Sequence, residues 1–168
     1  MDFLEIIDRA IAEHRVVRSN LSVMGGAMND LEATFSLQKT HASWAQGSVD
    51  ALVENVDRLR QTVDQLGAGI NRHFGFEEQY LPPVFGGTLM KALIFEHNEV
   101  RKRLADCRAL IATDIMGLPQ EKLLVYRSDI QQKLSDLTQT MEGHASREET
   151  VYFMLERALK AEKEGKAA

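Results

Sequence analysis

Four long segments in which apolar residues recur at every third or fourth position are the strongest constraint on the fold of this 168-residue chain. The apolar positions run from Leu4 to Phe35, from Leu52 to Ile70, from Leu93 to Ile111 and from Leu123 to Leu159. This spacing puts apolar side chains on one face of an α-helix, whereas the positions between them are mostly polar. Each segment is therefore predicted to form an amphipathic helix that buries one face.

The breaks between these segments predict how the helices are connected. The sequence has only three prolines, and proline interrupts a helix. The predicted connections are residues 40–47, 82–87 and 116–119, and the prolines are Pro82, Pro83 and Pro119. Because short connections between long helices favour antiparallel neighbours, we predict an all-α fold, an up-down-up-down antiparallel four-helix bundle. We expect the bundle to occupy residues 1–160 and a charged C-terminal tail to occupy residues 161–168.

Composition and charge argue against several classes of protein. The single cysteine, Cys107, cannot form an internal disulfide or a cysteine-rich metal site. The formal net charge of −5 argues against a general nucleic-acid-binding protein, which is normally basic. The N-terminus lacks the pattern of a secretory signal, and no apolar stretch approaches the ~20 residues of a membrane-spanning helix. We therefore expect a cytoplasmic protein that binds neither nucleic acid nor membrane.

Four of the five histidines interrupt the apolar faces, one on each predicted helix. They are His14, His73, His97 and His144. Each should point into the core, where a buried polar group needs a partner. Counting from the predicted connections at ~1.5 Å rise per residue puts the four within about 8 Å of a common level. The fifth histidine, His41, lies too far along the first segment to reach that level, and we exclude it.

Two glutamates complete a candidate ligand set. Glu77 follows His73 by four residues, and Glu148 follows His144 by the same spacing. Residues at this spacing stack on one face of a helix, so each pair offers an imidazole and a carboxylate to the same point. Four imidazoles and two carboxylates that can bridge would suit two metal ions. This chemistry favours iron, zinc or copper over magnesium or calcium, and the spacing alone does not choose iron.

The candidate ligands lie in two short repeats. Glu13-His14-x-x-Val17-Arg18 is similar to Glu96-His97-x-x-Val100-Arg101, and His73-x-x-x-Glu77-Glu78 is similar to His144-x-x-x-Glu148-Glu149. The first and third helices therefore look alike, as do the second and fourth. This pattern suggests two helical hairpins related by a pseudo-twofold axis, both serving one site.

The order, pairing and helical placement of these residues resemble the hemerythrin-like family, also called the HHE cation-binding domain, over nearly the whole chain. In oxygen-carrying members a further histidine follows the third-helix histidine by four residues, where this chain has Arg101. The carriers also take their last carboxylate from an aspartate five residues after the fourth-helix histidine. Here Glu148 is the better candidate, with Glu149 as the alternative. The ligand set is more similar to that of di-iron proteins that repair iron–sulfur clusters under nitrosative stress.

The resemblance implies two glutamate-bridged non-haem irons, with zinc or manganese less favoured. It implies reaction with O2, NO or peroxide rather than reversible oxygen transport. A redox or iron-receiving protein is a further candidate partner. The alternatives are a metal- or gas-sensing or iron-binding module without turnover, and a structural bundle without metal. Whether the protein is an enzyme stays open.

Several residues near the candidate ligands have two interpretations from sequence. Arg101 fits a surface residue and a charge partner near the metals equally well. Glu78 and Glu149 fit either solvent exposure or support of the ligands. For Tyr152, core packing is favoured over a relay of protons or electrons. Cys107 is expected to be a small core residue.

Overall fold

A computed structural model describes residues 2–39 and 46–167 of the chain. The four helices are α1 (Phe3–Lys39), α2 (Gln46–Tyr80), α3 (Pro82–Ile111) and α4 (Gln120–Ala167). Within the described residues there is no strand. Consecutive helices pack against each other, and α4 also packs against α1, which closes the bundle. The predicted all-α, up-down-up-down four-helix bundle is confirmed.

The helix ends follow from local chemistry. The backbone N–H of Glu5 donates to Asp2 Oδ1 at 3.0 Å, and the backbone N–H of Asp2 donates to Glu5 Oε2 at 2.7 Å. This reciprocal capping box satisfies donors that the first turn of α1 leaves free. Residues 40–45, most of the predicted first connection, lie outside the described residues, and so does His41.

The second connection differs from the prediction. The segment 82–87 was expected to separate α2 from α3, but α3 begins at Pro82 and only Leu81 lies between the helices. The reason is that the first turn of a helix does not need the N–H that proline lacks. The expected interruption is confined to Gly86, whose φ of 69° kinks α3.

The core consists of two apolar clusters with a polar layer between them. The larger cluster extends from Val17, Phe74, Val100 and Ala145 toward one end of the bundle. The smaller cluster lies toward the other end and contains Ile6, Ile7, Ala10, Phe76, Leu81, Met90, Leu93 and Tyr152. Along every helix, the predicted site residues lie between members of the two clusters. The polar layer is therefore closed by apolar packing above and below.

The C-terminal part of α4 continues without interruption through the segment that the sequence suggested as a tail. The division of the chain at residue 160 stays a prediction. None of the helices in the described part of the chain combines the length and apolarity needed to cross a bilayer.

Candidate metal centre

The six residues predicted as ligands meet in the polar layer. None of them is more than 4% exposed, and they are His14, His73, Glu77, His97, His144 and Glu148. Every helix contributes one imidazole, and α2 and α4 each add a carboxylate from the next turn. The apolar periodicity of each helix turns these positions inward, which is why polar residues in the apolar faces become buried.

The six side chains form two overlapping clusters. One contains His14, His73, Glu77 and Glu148, and the other contains His97, His144, Glu77 and Glu148. Within each cluster the potential ligand atoms all lie within 4.8 Å of one another. Both glutamates belong to both clusters. The arrangement therefore consists of two half-sites joined by two shared carboxylates.

The distances show how Glu77 connects the half-sites. Its Oε1 lies 3.3 Å from His73 Nε2, and its Oε2 lies 3.2 Å from His97 Nε2. Glu148 Oε2 lies 3.1 Å from the Nε2 atoms of both His14 and His144. Each carboxylate thus faces one histidine of each half-site.

These spacings fit a metal-binding geometry. Metal ions such as zinc bind nitrogen and oxygen ligands at about 2.0–2.2 Å, so neighbouring donors about 90–110° apart around one ion lie roughly 3.0–3.5 Å from each other. The four distances given above fall in that range. An ion in each half-site would need little movement of these side chains.

Several inward-facing atoms also lack hydrogen bonds. They are His73 Nε2, His97 Nε2, His144 Nε2, Glu77 Oε2 and Glu148 Oε1, none of which has a hydrogen-bond partner among the described residues. Leaving one buried polar group unsatisfied costs about 1–3 kcal/mol. A set of such atoms aimed at one space is the pattern that cations would satisfy.

Burial also puts two of the imidazoles, His73 and His97, in their ligating form. It lowers the pKa of His73 to about 3, with a further contribution from His14, and it lowers the pKa of His97 to about 4. For His144, burial lowers the pKa, but the contacts with Glu148 and Glu96 raise it overall. Neutral imidazole is the form that binds a metal. Burial and the nearby carboxylate of Glu148 raise the pKa of Glu77 well above its ordinary value. Two carboxylates this close resist ionising together unless positive charge is present.

A second layer of carboxylates contacts the outer nitrogens of the histidines. The Nδ1 atoms of His14, His97 and His144 are paired with Glu149, Glu78 and Glu96 at 3.1, 2.8 and 2.9 Å. His73 Nδ1 lies 3.5 Å from Glu13 Oε2. A carboxylate on the outer nitrogen fixes the tautomer and the orientation of a histidine ligand, leaving Nε2 for the metal.

Each of these outer carboxylates is held by an arginine. The pairs are Arg9 with Glu13, Arg18 with Glu149, Arg101 with Glu78 and Arg147 with Glu96. Arg101 Nη1 donates to Glu78 Oε1 at 2.8 Å, so it is a charge partner near the site rather than an isolated surface residue. Although burial alone raises the pKa of Glu78, its bonds to Arg101 and His97 lower it overall.

Sequence reasoning missed part of this outer layer. The repeat includes Glu13 and Glu96, but sequence analysis assigned them no role. Each directly precedes a histidine, Glu13 in the first copy of the repeat and Glu96 in the second. That position was the available signal. Tyr152 was assigned to packing, yet its hydroxyl donates a 2.6 Å hydrogen bond to Glu77 Oε1 in the buried layer. Burial raises the pKa of Tyr152 above its ordinary value, which keeps the hydroxyl a donor.

Comparison with known proteins agrees with this geometry. The family model described as the hemerythrin HHE cation binding domain matches residues 34–156. Because the match covers more than half of the sequence, the chain belongs to this family of cation-binding domains. The matched range contains five of the six converging residues and leaves out His14. No curated protein and no solved structure gave a match.

Proposed function

We propose that the six converging residues hold two iron ions and that this centre reacts with a small molecule such as O2, NO or peroxide. The observation that carries the proposal is the pair of four-residue clusters that share Glu77 and Glu148. A single ion would use only one cluster. Two ions would use all six side chains, and the shared carboxylates would offset part of their charge.

The choice of iron is supported by the ligand types and by the family. Imidazole and carboxylate together suit iron, and the family binds cations. Each half-site offers two imidazoles and both carboxylates, so a six-coordinate ion would keep positions for a small ligand. Bound iron would supply redox chemistry and those open positions.

The protein's own residues would position and shield the centre. The outer carboxylates are hydrogen-bonded to the Nδ1 atoms of three of the four imidazoles and orient them, and Tyr152 fixes Oε1 of Glu77. The ring of Phe74 stacks on His97 with centroids 3.8 Å apart, which excludes water from that side of the layer. On the similarity of the ligand set alone, we propose a role in oxidative or nitrosative stress response or iron-centre repair. We also propose a cytoplasmic location.

Metal analysis of protein purified from iron-replete cells tests the site. We expect two irons per chain in the wild type and a loss of iron in Glu77→Gln. Glu54→Gln is the matched control, because Glu54 lies on the same helix with its side chain 75% exposed. Iron well below two per chain that His73→Ala and His144→Ala leave unchanged would refute the proposal.

Turnover separates an enzyme from the alternative functions. Iron-loaded protein is mixed with NO, O2 or peroxide and a reductant, and consumption is followed over many equivalents. Catalytic consumption supports a reactive centre. A stable adduct without consumption would instead indicate a gas-sensing or iron-binding module.

A further inference from the structure

A cavity of about 240 Å³ lies between α3 and α4 and borders the candidate metal centre. Five apolar residues line it together with Glu96 and Arg147, and the apolar ones are Phe85, Leu89, Ala92, Leu93 and Val151. Glu148, one of the two shared carboxylates, also lines it. The cavity is therefore a space next to the centre whose wall is apolar apart from one ion pair and one shared carboxylate.

The two shared carboxylates differ in their hydrogen bonds, and the difference distinguishes the side of the centre that faces the cavity. Glu77 Oε1 accepts the 2.6 Å hydrogen bond from Tyr152, whereas Glu148 Oε1 has no hydrogen-bond partner among the described residues. In the repeat, the position equivalent to Tyr152 is Leu81, which has no hydroxyl to offer Glu148. The carboxylate with a spare oxygen is the one that borders the cavity.

The residues that line the cavity also break the repeat. Ala92 corresponds to Arg9 in the other half of the molecule, and Val151 corresponds to Tyr80. The Arg9 guanidinium lies 4.2 Å from the centre of the Phe76 ring, and that ring packs against Tyr80 with centroids 5.0 Å apart. At these two positions, small side chains on the α3–α4 side are replaced by large, packed ones on the α1–α2 side.

The other two charged residues that line the cavity, Glu96 and Arg147, are paired with each other. Arg147 Nη2 lies 2.9 Å from Glu96 Oε2, and the Arg147 side chain is 61% exposed, which puts the pair toward solvent. An ion that passed inward would leave water for an apolar wall, and burying an unpaired charge is costly. A small uncharged molecule loses little by the same transfer.

We propose that this cavity is where a small, uncharged, weakly polar diatomic molecule binds and through which it reaches the centre. The inference rests on the proposed function, because it assumes that metal is held at Glu148. It narrows the substrate class to molecules of the kind of O2 and NO, and it assigns access to the Glu148 side.

Xenon gives a readout that does not depend on metal, because it occupies apolar cavities. Crystals of the protein as purified are pressurised with xenon, and separate crystals are soaked in iodide. We expect xenon against the apolar wall of the α3–α4 cavity and no iodide there, except beside the exposed Arg147 guanidinium. Xenon only in the larger cavity of about 390 Å³ that includes Met24 and Thr138, or iodide against the apolar wall next to Glu148, would overturn the proposal.

Binding kinetics test the route in iron-loaded protein. Ala92→Phe and Val151→Phe narrow the cavity, and Thr138→Phe is the matched control in the distant cavity. At equal iron content we expect NO association at least tenfold slower in the first two variants and within twofold of wild type in the control. Ala92 is exposed, so its variant should fold even where Val151→Phe does not.

The outcomes distinguish this inference from the proposed function. If iron is bound and NO association is unchanged in Ala92→Phe, the proposed function stands and the route is wrong. If the wild type holds no iron, the proposed function fails and the route fails with it, whatever xenon shows.

Discussion

The hydrogen bond between Tyr152 and Glu77 allows a quantitative test of the buried layer. Tyr152→Phe removes one hydroxyl group and leaves the ring, which is fully buried, in place. The lost bond is 2.6 Å long and its acceptor is a carboxylate. Tyr126 on the same helix is a matched control, since it is 5% exposed and its hydroxyl is 3.4 Å from the carbonyl oxygen of Ile111.

The two bonds should differ clearly in free energy. A hydrogen bond to a charged group contributes about 1.5–3 kcal/mol, whereas a typical neutral bond contributes about 0.5–1.5 kcal/mol. The Tyr126 bond is at the long limit of hydrogen-bond geometry and should lie at or below the bottom of that range. The raised pKa of Glu77 favours the neutral form of its carboxyl group in metal-free protein, so the Tyr152 bond should fall between the two ranges. We therefore expect Tyr152→Phe to cost about 0.5–2 kcal/mol more than Tyr126→Phe. For a protein of this size, that corresponds to a Tm difference of roughly 1–8 °C.

The assay is urea and thermal unfolding of both variants and the wild type after treatment with a chelator, because a bound ion could mask the loss. The same series on untreated protein shows whether metal compensates. If Tyr126→Phe costs as much as Tyr152→Phe in the chelated protein, the tyrosine–carboxylate bond does not stabilise the layer as argued.

Three further expectations follow from the same contacts. Glu78→Gln should lower metal affinity about 10–100-fold by disturbing His97, measured by chelator competition, while Glu99→Gln on the surface of α3 should not. Burial raises the pKa of the Cys107 thiol to about 11, so a disulfide reagent at pH 8 should react slowly until urea unfolds the protein, and fast reaction in native buffer would contradict this. In urea unfolding, Gly86→Ala should lower the free energy of unfolding by about 1 kcal/mol or more, because Gly86 has a φ of 69°. Gly25→Ala should raise it by roughly 0.5–1 kcal/mol, because Gly25 lies inside α1 with open space around it.

Much of the fold followed from periodicity. Steps of three and four fix which face of each helix is buried, and the turn residues limit where the helices can end. The prolines illustrate what such reasoning leaves undecided. Pro82 can end one helix or begin the next, and only the packing of α2 against α3 shows that it begins α3.

The convergence of the six candidate residues could be predicted from sequence for a related reason. A histidine in an apolar face points inward whatever the details of packing, and a glutamate four residues later must stack beside it. The outer contacts depend instead on how neighbouring helices are rotated. Glu13 reaches His73 on another helix, and nothing in the spacing along α1 could give that distance of 3.5 Å.

The charges in the buried polar layer explain why cations would stabilise the candidate metal centre. Each outer carboxylate is paired with an arginine, so the outer layer compensates its own charge. Glu77 and Glu148 have no arginine or lysine partner among the described residues. Both contact imidazoles, and Glu77 also accepts the hydrogen bond from Tyr152. Burial keeps the imidazoles of His73 and His97 neutral, so these two side chains cannot balance the carboxylates. Metal ions bound between them would, and they would do so where the unpaired nitrogen and oxygen atoms already converge.

The repeat extends this argument from binding to reactivity. Two helical hairpins with the same ligands and the same neighbouring residues would make both sides of the centre equally accessible to a small molecule. The chain keeps the candidate ligands equivalent and changes their neighbours. Arg9 and Tyr80 pack against Phe76 on the α1–α2 side, whereas Ala92 and Val151 line the cavity on the α3–α4 side. The difference in side-chain volume, rather than any difference in ligands, is therefore what would let a small molecule approach from one side only.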